Sequence, residues 1–445
     1  MRVALTTLLI LALAGTADAQ VNIGTSRVIG GRVSAVASHN LDLRNYLICG
    51  VPDTQNMVSQ SDFDAYGGAY SCAANPSFCV GENCANSKYC SLSWRNTGQI
   101  LMNNLAYNLT GQWDKIDYSK IKAVDNVKSN FPNPPNHRKC DLIIGFGDMA
   151  DVPNTSGYGN NIDNSLATLE SEGFTYQFNT VREFWAIIDQ SGIPYIFAHG
   201  NHDPWAFYID LFDRLGVADK SYFYTKEPTY DLSYAILVPT SLGKPLCVIN
   251  VAFSDIYTDA VGQPTRVDDT NTWLTATVGC GGDYPTIIVS HASVSDDPLT
   301  PALVDTITDN PIVEQIGNVS EAGTAGTSEI FMVMGGHHLG TESVKGSVTG
   351  LFGADADQSV FLYYSNFQEQ DRHQSGTMNG ISTTASDSVG GLYTLIDLQP
   401  DRDRLCAHDW NPYFQTAQGG SVNGQASNVT TSSGCQDFDF DVRFP

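Results

Sequence analysis

Five short apolar runs constrain most strongly what this chain can fold into. They are Tyr46–Pro52, Asp141–Phe146, Ile193–Ala198, Thr286–Ser290 and Ile330–Met334. Apolar runs of this length, bounded by Gly or Pro, predict buried strands of an α/β sheet. Further strands are predicted at Leu246–Phe253, Val360–Tyr364 and Leu392–Leu398. The sequence therefore predicts an α/β fold.

An amphipathic helix is predicted between the second and third of these runs. The helix is predicted to end at Gly192, before Pro194. Its apolar residues recur at steps of three and four; they are Phe178, Val181, Phe184, Trp185 and Ile188. A helix between two strands is the crossover of a βαβ unit, which makes its strands parallel neighbours. Shorter helical segments are predicted at Gln99–Tyr107 and Tyr118–Ser129.

Each of the five runs leads into a side chain that can hold a hard metal ion. In chain order these side chains are Asp53 with Gln55, Asp148, Asn201, His291 and His337. Ligands of open α/β sheets sit just outside the carboxyl ends of the strands. The five strands are therefore expected to deliver this set to one crevice. A mixture of carboxylate, amide and imidazole ligands indicates a site for Zn, Mn or Fe, in contrast to a site built from cysteine thiolates.

Composition bounds the size of the core and the class of partner. The chain has 445 residues, 42% of them hydrophobic, and a formal net charge of −25. That is ample for a core, and no linker divides the chain, so one domain is predicted over residues 20–445. A surface this acidic repels nucleic acid and anionic membranes. The expected partner is a small substrate, with no nucleic acid and no stable membrane association; the oligomeric state stays open.

The first nineteen residues have the pattern of a secretory signal peptide. Met1 and Arg2 precede the apolar stretch Val3–Ala14, and the small-residue sequence Ala17-Asp18-Ala19 follows. The mature protein is therefore expected to be secreted and to begin at Gln20. Four N-x-Ser/Thr sequons permit glycosylation, at Asn108, Asn154, Asn318 and Asn428.

The ten cysteines all lie in the mature part, an even number that predicts disulfides in an oxidising compartment. Four of them are predicted to pair among themselves and to cross-link a Cys-rich loop inserted at about residues 56–97. These four are Cys72, Cys79, Cys84 and Cys90. Cys247 with Cys280, and Cys406 with Cys435, are candidates for longer bridges.

Taken in order, the polar motifs resemble the calcineurin-like metallophosphoesterase superfamily. The motifs are Gly147-Asp148-x-x-Asp151, Gly200-Asn201-His202-Asp203, His291 and Gly336-His337, and Asp53-Thr54-Gln55 resembles a branch with DxQ in place of the first DxH. The similarity covers roughly Leu47 to Pro412. It implies an α/β/β/α sandwich of two mixed sheets flanked by helices. It also implies two divalent ions (Zn, Mn or Fe, with Mg possible) and hydrolysis of phosphate mono- or diesters by a metal-activated water.

The same resemblance implies a role for each residue. Asp148 would bridge the two ions. Asp53 and Gln55 would complete the shell of the first ion, and Asn201, His291 and His337 that of the second. His202 would be a non-ligand imidazole facing the leaving-group oxygen, with Asp203 holding its tautomer. Asp151 would support the site from outside the ligand shell, and His199 is assigned a structural or pocket-wall role.

The chain departs from the family at the last motif. The usual Gly-His-x-His reads Gly336-His337-His338-Leu339 here, so Leu339 occupies the slot of a ligand to the first ion. Gln55 also offers that ion an amide instead of an imidazole. An alternative function is therefore a catalytically impaired protein of this fold that retains one metal for structure or binding. A third reading, a disulfide-rich adhesion or sugar-binding module, rests only on the cysteine cluster and the acidic surface.

Overall fold

The computed structural model describes residues 45–54, 58, 92–117, 139–152, 165–224, 232–252, 273–274, 276–282, 284–291, 329–337, 343–349, 359–365, 376–378, 381–383, 393–411, 416–417, 421–422, 425–426 and 435–444. These residues belong to one compact unit, Arg44–Pro132 with Lys139–Pro445. The predicted signal peptide, the four clustered cysteines and the helix predicted at Tyr118–Ser129 lie outside the described residues.

The described strands and helices follow in chain order. The strands are β1 (Tyr46–Val51), β2 (Leu142–Gly145), β3 (Tyr195–Phe197), β4 (Tyr234–Val238), β5 (Leu246–Asn250), β6 (Thr286–Val289), β7 (Ile330–Gly335), β8 (Ser343–Thr349), β9 (Ser359–Ser365), β10 (Gly376–Met378), β11 (Ile381–Thr383), β12 (Tyr393–Gln399), β13 (Arg404–Asn411), β14 (Thr416–Ala417), β15 (Ser421–Val422), β16 (Gln425–Ala426) and β17 (Cys435–Asp437). The helices are α1 (Leu92–Leu109), α2 (Leu166–Leu169), α3 (Thr175–Gln190), α4 (Trp205–Arg214) and α5 (Phe440–Arg443).

Two mixed sheets contain most of these strands. The first has the order β14-β13-β12-β1-β2-β3, with β17 also paired to β13. Within it β1, β2 and β3 are parallel, and β12 runs antiparallel to β1. The second has the order β4-β5-β6-β7-β9-β8, with β5, β6, β7 and β9 parallel and β4 and β8 antiparallel at its edges. The predicted α/β class is confirmed, and each predicted strand is present with ends shifted by a few residues.

One hydrophobic core is shared by the two sheets. Along β5, Leu246 and Val248 are buried in it, and across it the hydroxyl of Tyr363 in β9 lies 2.8 Å from Thr394 Oγ1 in β12. The alternate residues of β5, such as Ile249, belong to a second cluster on the other face of the second sheet. Because side chains alternate between the faces of a strand, this division identifies which residues point between the sheets.

The crossover from β2 to β3 is helical, as the sequence predicts. Ser165 caps α2 by accepting from the Thr168 N–H at 3.2 Å, and a π-helical turn (Glu170–Phe174) leads into α3. The buried side chains of α3 include all five of the predicted apolar residues. Since β2 and β3 are parallel neighbours, their carboxyl ends meet at one edge, which brings the segments after Gly145 and Phe197 together.

Three disulfides tie the described chain. The bridges Cys247–Cys280 and Cys406–Cys435 are confirmed, and Cys49–Cys140 joins β1 to the residue before Asp141. No helix among the described residues is long and apolar enough to cross a membrane.

Two local predictions need adjustment. Helix α1 begins at Leu92, so the last part of the predicted 56–97 loop is helical; its packing through Met102, Leu105 and Leu109 favours helix despite the polar composition of its start. The Asn108 sequon is fully buried, and its Nδ2 donates to the Tyr393 hydroxyl at 2.7 Å. That amide is therefore not available to carry a glycan in the folded protein, whereas the other three sequons lie outside the described residues.

Candidate metal centre

Asp148 lies at the centre of the candidate site, just beyond β2. The Phe146 N–H donates to the Val51 carbonyl at 2.9 Å, and the chain then turns through Gly147 (φ 96°) and Asp148 (φ 46°). A Cβ on Gly147 would stand 2.8 Å from the Nδ1 of His291, so glycine lets the turn approach that ring. The Asp148 carboxylate is buried and accepts from the His202 N–H at 2.8 Å.

The segment after β3 lies directly against Asp148. A Cβ on Gly200 would collide with both the backbone nitrogen and the Oδ1 of Asp148. Glycine at this position is therefore a steric requirement for the close approach. The next residue, Asn201, places its Oδ1 3.0 Å from the Nε2 of His291.

His291 comes from the second sheet and is fully buried just beyond β6. Its Nδ1 lies 2.8 Å from the Phe146 carbonyl. A carbonyl oxygen only accepts, so Nδ1 carries the proton, and in the neutral ring Nε2 presents a lone pair. That Nε2 lies 3.1 Å from Asp148 Oδ2, 3.0 Å from Asn201 Oδ1 and 3.1 Å from the Nδ1 of His337.

This donor set fits a divalent cation. A carboxylate oxygen and an amide oxygen face the lone pair of a neutral imidazole, and these groups repel one another unless a proton or a cation lies between them. Ligand atoms about 2.0–2.1 Å from a tetrahedral Zn are themselves about 3.3–3.4 Å apart, close to the separations around His291 Nε2. Ligand atoms of Asp148, His291 and His337 all lie within 4.8 Å of one another.

His337 approaches from the end of β7 with a left-handed backbone, φ 78°. Its ring stands at 73° to that of His291, with the centroids 4.9 Å apart. Positive φ at a non-glycine residue is strained, and such residues cluster at functional sites. Both Asp148 and His337 have it.

The ligands expected for the first ion are only partly described. Asp53 follows β1 and is fully buried. The hydroxyl of Thr54 donates to the Met149 carbonyl at 3.3 Å, which places this segment beside the turn that carries Asp148. Gln55, His338 and Leu339 lie outside the described residues, so what the sequence predicts for Gln55 and Leu339 stays a prediction.

His202 stands beside a carboxylate, and that carboxylate belongs to Asp151. The ring Nδ1 is 3.3 Å from Asp151 Oδ1, with 28% of the His202 side chain exposed. Burial alone lowers the pKa of His202, but the charges of Asp148, Asp151 and Asp203 outweigh it and raise the pKa to about 9. The Asp151 N–H donates to Gln177 Oε1 at 2.7 Å, and Gln177 Nε2 donates back to the Asp151 carbonyl at 3.3 Å.

Asp203 has a different position from the one predicted. Its carboxylate accepts from the Gly200 N–H at 3.0 Å and from the Ala150 N–H at 2.9 Å, so it ties the two motif loops together. Burial, followed by the Asp148 charge, raises the pKa of Asp203 to about 7. The carboxylate within ion-pair distance of the His202 ring is that of Asp151, because the turn after Asp148 carries Asp151 to that side.

Burial raises the pKa of the Asp148 carboxyl on its own, but the His291 and His202 rings that face it outweigh burial. Together they hold the pKa of Asp148 well below its ordinary value. The carboxylate is therefore ionised across the neutral range, as a metal ligand must be.

No protein-family model matches this chain, and none of the curated proteins matches it. The site is defined by its residues and their geometry.

Gln177 is a residue of the site that sequence patterns did not single out. It is buried on the apolar face of α3, where a polar side chain is unusual. A polar residue at a core position of an amphipathic helix is the signal that could have found it.

Proposed function

We propose that this protein is a secreted, metal-dependent phosphoesterase of the calcineurin-like type, hydrolysing phosphate mono- or diesters. The observation that carries the proposal is the convergence of Asp148, Asn201 and His337 on the Nε2 of His291. Oxygen and nitrogen ligands from four separate strand ends meet there, in the order in which the superfamily has its motifs.

Asp148, Asn201, His291 and His337 would hold one ion, and Asp53, Gln55 and Asp148 the other. Bound Zn, Mn or Fe (or Mg) would polarise a phosphoryl oxygen and lower the pKa of a water molecule. The chain's own contribution is to position the ester and to supply a proton. His202, with Asp151 beside its ring, donates that proton to the leaving-group oxygen.

The proposed architecture is the α/β/β/α sandwich of that superfamily. The shared core between two mixed sheets supports it, as does the origin of the candidate ligands in both sheets. Secretion is proposed on the signal-peptide pattern of residues 1–19, and the three disulfides are compatible with it.

The alternative is a catalytically impaired protein that keeps one ion. Leu339 in the slot of a ligand favours it, because the first ion then has only oxygen ligands from Asp53, Gln55 and Asp148. The response of hydrolysis to added metal separates the two hypotheses. The enzyme should carry about one tight ion and gain activity with added Mn, and Leu339→His should reduce the need for added metal. Persistence of one ion with no activity under any metal would favour the alternative.

Hydrolysis of chromogenic phosphate mono- and diesters by three variants tests the proposal. Asp148→Asn should lose most bound metal and most activity. His202→Ala should keep its metal but lose rate by about 10²–10⁴-fold, the usual size of a general-acid effect. Asp213→Asn, which removes an exposed carboxylate on α4, is the control and should match wild type. Wild-type turnover in Asp148→Asn would overturn the proposal.

A further inference from the structure

Two buried polar side chains lie at the ends of neighbouring strands of the two sheets. His199 follows β3 and is 2% exposed; Asn250 ends β5 and is fully buried. Alternation along β5 points Asn250 into the core between the sheets, on the same side as Val248. Strand β3 lies next to β5, which brings the segment with His199 close to Asn250.

Tyr208 connects the two residues. The His199 ring meets the Tyr208 ring edge-on, with the centroids 5.2 Å apart and the planes at 87°. Asn250 Nδ2 lies 3.3 Å from the Tyr208 hydroxyl oxygen and donates to the Leu232 carbonyl at 2.9 Å. The Tyr208 hydroxyl itself donates to the Phe197 carbonyl at 2.8 Å, so its proton is already used.

Two polar atoms of this group lack a protein partner in the described part of the chain. They are one ring nitrogen of His199, whose other nitrogen faces the backbone of Asp203, and the Oδ1 of Asn250. The remaining imidazole nitrogen presents a lone pair, and an amide oxygen accepts. Buried polar groups of this kind are normally hydrogen-bonded. A group that can donate to both atoms is therefore needed at this place.

We propose that His199 and Asn250 form an internal water-binding site that links the two sheets. A water molecule donates and accepts, and buried waters typically make two to four hydrogen bonds to polar groups of this kind. The site lies close along the chain to the candidate ligands. His199 is two residues before Asn201, and Asn250 pairs with Val289, two residues before His291. The water would thus join the strand ends of both sheets, whether or not the protein hydrolyses phosphoesters.

A high-resolution crystal structure of the full chain tests the site directly. The expected result is ordered water at about 2.7–3.2 Å from a ring nitrogen of His199 and from Asn250 Oδ1. A dry contact, or a protein side chain bonded to the His199 nitrogens, would overturn the proposal.

A double-mutant cycle tests the link between the two residues. His199→Phe and Asn250→Leu each remove one anchor, so the loss in urea midpoint of the double variant should be smaller than the sum of the single losses. The matched control pairs His199→Phe with Asn108→Leu, a buried asparagine that likewise contacts a tyrosine hydroxyl, that of Tyr393. The control pair should be additive. Additivity in the His199–Asn250 pair as well would contradict a shared water, and the wild-type crystal structure decides the matter if a variant fails to fold.

Discussion

At the scale of single residues, the candidate site depends on close backbone approaches. The carboxylate of Asp148 is held between the Gly200 turn and the His291 ring. The Asp203 carboxylate accepts hydrogen bonds from the loop after β2 and from the loop after β3. Left-handed backbone at Asp148 and His337 costs on the order of 1–3 kcal/mol each, so these contacts must hold the turns in place.

The Gly200→Ala substitution should dismantle the site without unfolding the protein. The new Cβ collides with the backbone nitrogen of Asp148, which cannot move aside as a flexible side chain could. The segment with Asn201 must shift, so most bound metal should be lost while the far-ultraviolet circular dichroism is retained. Metal analysis of the purified variant measures this.

Gly243→Ala is the control, because its Cβ meets nothing within 4 Å although its φ is 94°. It should lose some stability from backbone strain and keep its metal. Full metal content in Gly200→Ala would show that the two loops are not held as closely as described.

The Asp151→Asn substitution should shift the pH dependence of hydrolysis. The Asp151 carboxylate is one of the charges that raise the pKa of His202, so its removal lowers that pKa. A general acid works in its protonated form, and activity is lost as pH rises through its pKa. The alkaline limb of kcat/KM should therefore move to lower pH in Asp151→Asn and stay in place in Asp213→Asn. If the alkaline limb of kcat/KM does not move in Asp151→Asn, then Asp151 does not set the pKa of the general acid.

The sequence predicts which residues meet but not each partner within the site. Strand-end positions are enough to bring Asp148, Asn201, His291 and His337 together, since parallel strands share an edge. The partner of His202 depends on the turn after Asp148, where motif spacing puts two carboxylates, Asp151 and Asp203, within reach. Only the path of the backbone decides between them.

At the scale of elements, the crossover helix α3 fixes the spacing of the two strands that carry Asp148 and Asn201. Its buried face packs on the first sheet through Trp185, whose ring lies 4.9 Å from that of Phe197. Phe178 of α3 stacks on Phe207 of α4, with the ring centroids 4.2 Å apart. Helix α3 therefore packs against both the first sheet and α4.

Phe178→Ala should therefore lower the unfolding free energy by about 3–5 kcal/mol, the usual cost of emptying a buried aromatic site. Tyr176→Ala on the same helix removes an aromatic ring that is 48% exposed and should change stability by no more than about 0.5 kcal/mol. Urea unfolding of both variants compares them. Equal losses would mean that α3 is not packed as described.

The element least predictable from sequence is the C-terminal segment. Its alternation of Asp with Phe gives an acidic composition, yet Phe438 and Phe444 are buried against Phe331 of the second sheet. Phe440 is buried against these two C-terminal rings. Strand β17 just before them pairs with β13 of the first sheet. Such long-range packing has no local pattern, whereas the apolar strands and the periodic face of α3 do.

At the scale of the whole molecule, the candidate ligands come from both sheets. Asp148 and Asn201 follow strands of the first sheet, and His291 and His337 follow strands of the second. An ion held by all four binds only when the two sheets are packed together, so binding and folding are linked.

Thermal unfolding should therefore respond to metal. Adding Zn or Mn to metal-stripped protein should raise the transition temperature, by an amount equivalent to about 2.7 kcal/mol at a concentration of 100 Kd. The same addition should leave Asp148→Asn nearly unchanged. An equal rise in the variant would place the binding elsewhere.

Whether this protein is a metal-dependent phosphoesterase is tested most directly by the rate of ester hydrolysis as Mn or Zn is added stepwise to metal-stripped wild-type protein. We expect no turnover of chromogenic mono- or diester without metal, a rate that rises with the metal bound, and no rise for Asp148→Asn. Saturation with each candidate metal and no hydrolysis of either ester would contradict it.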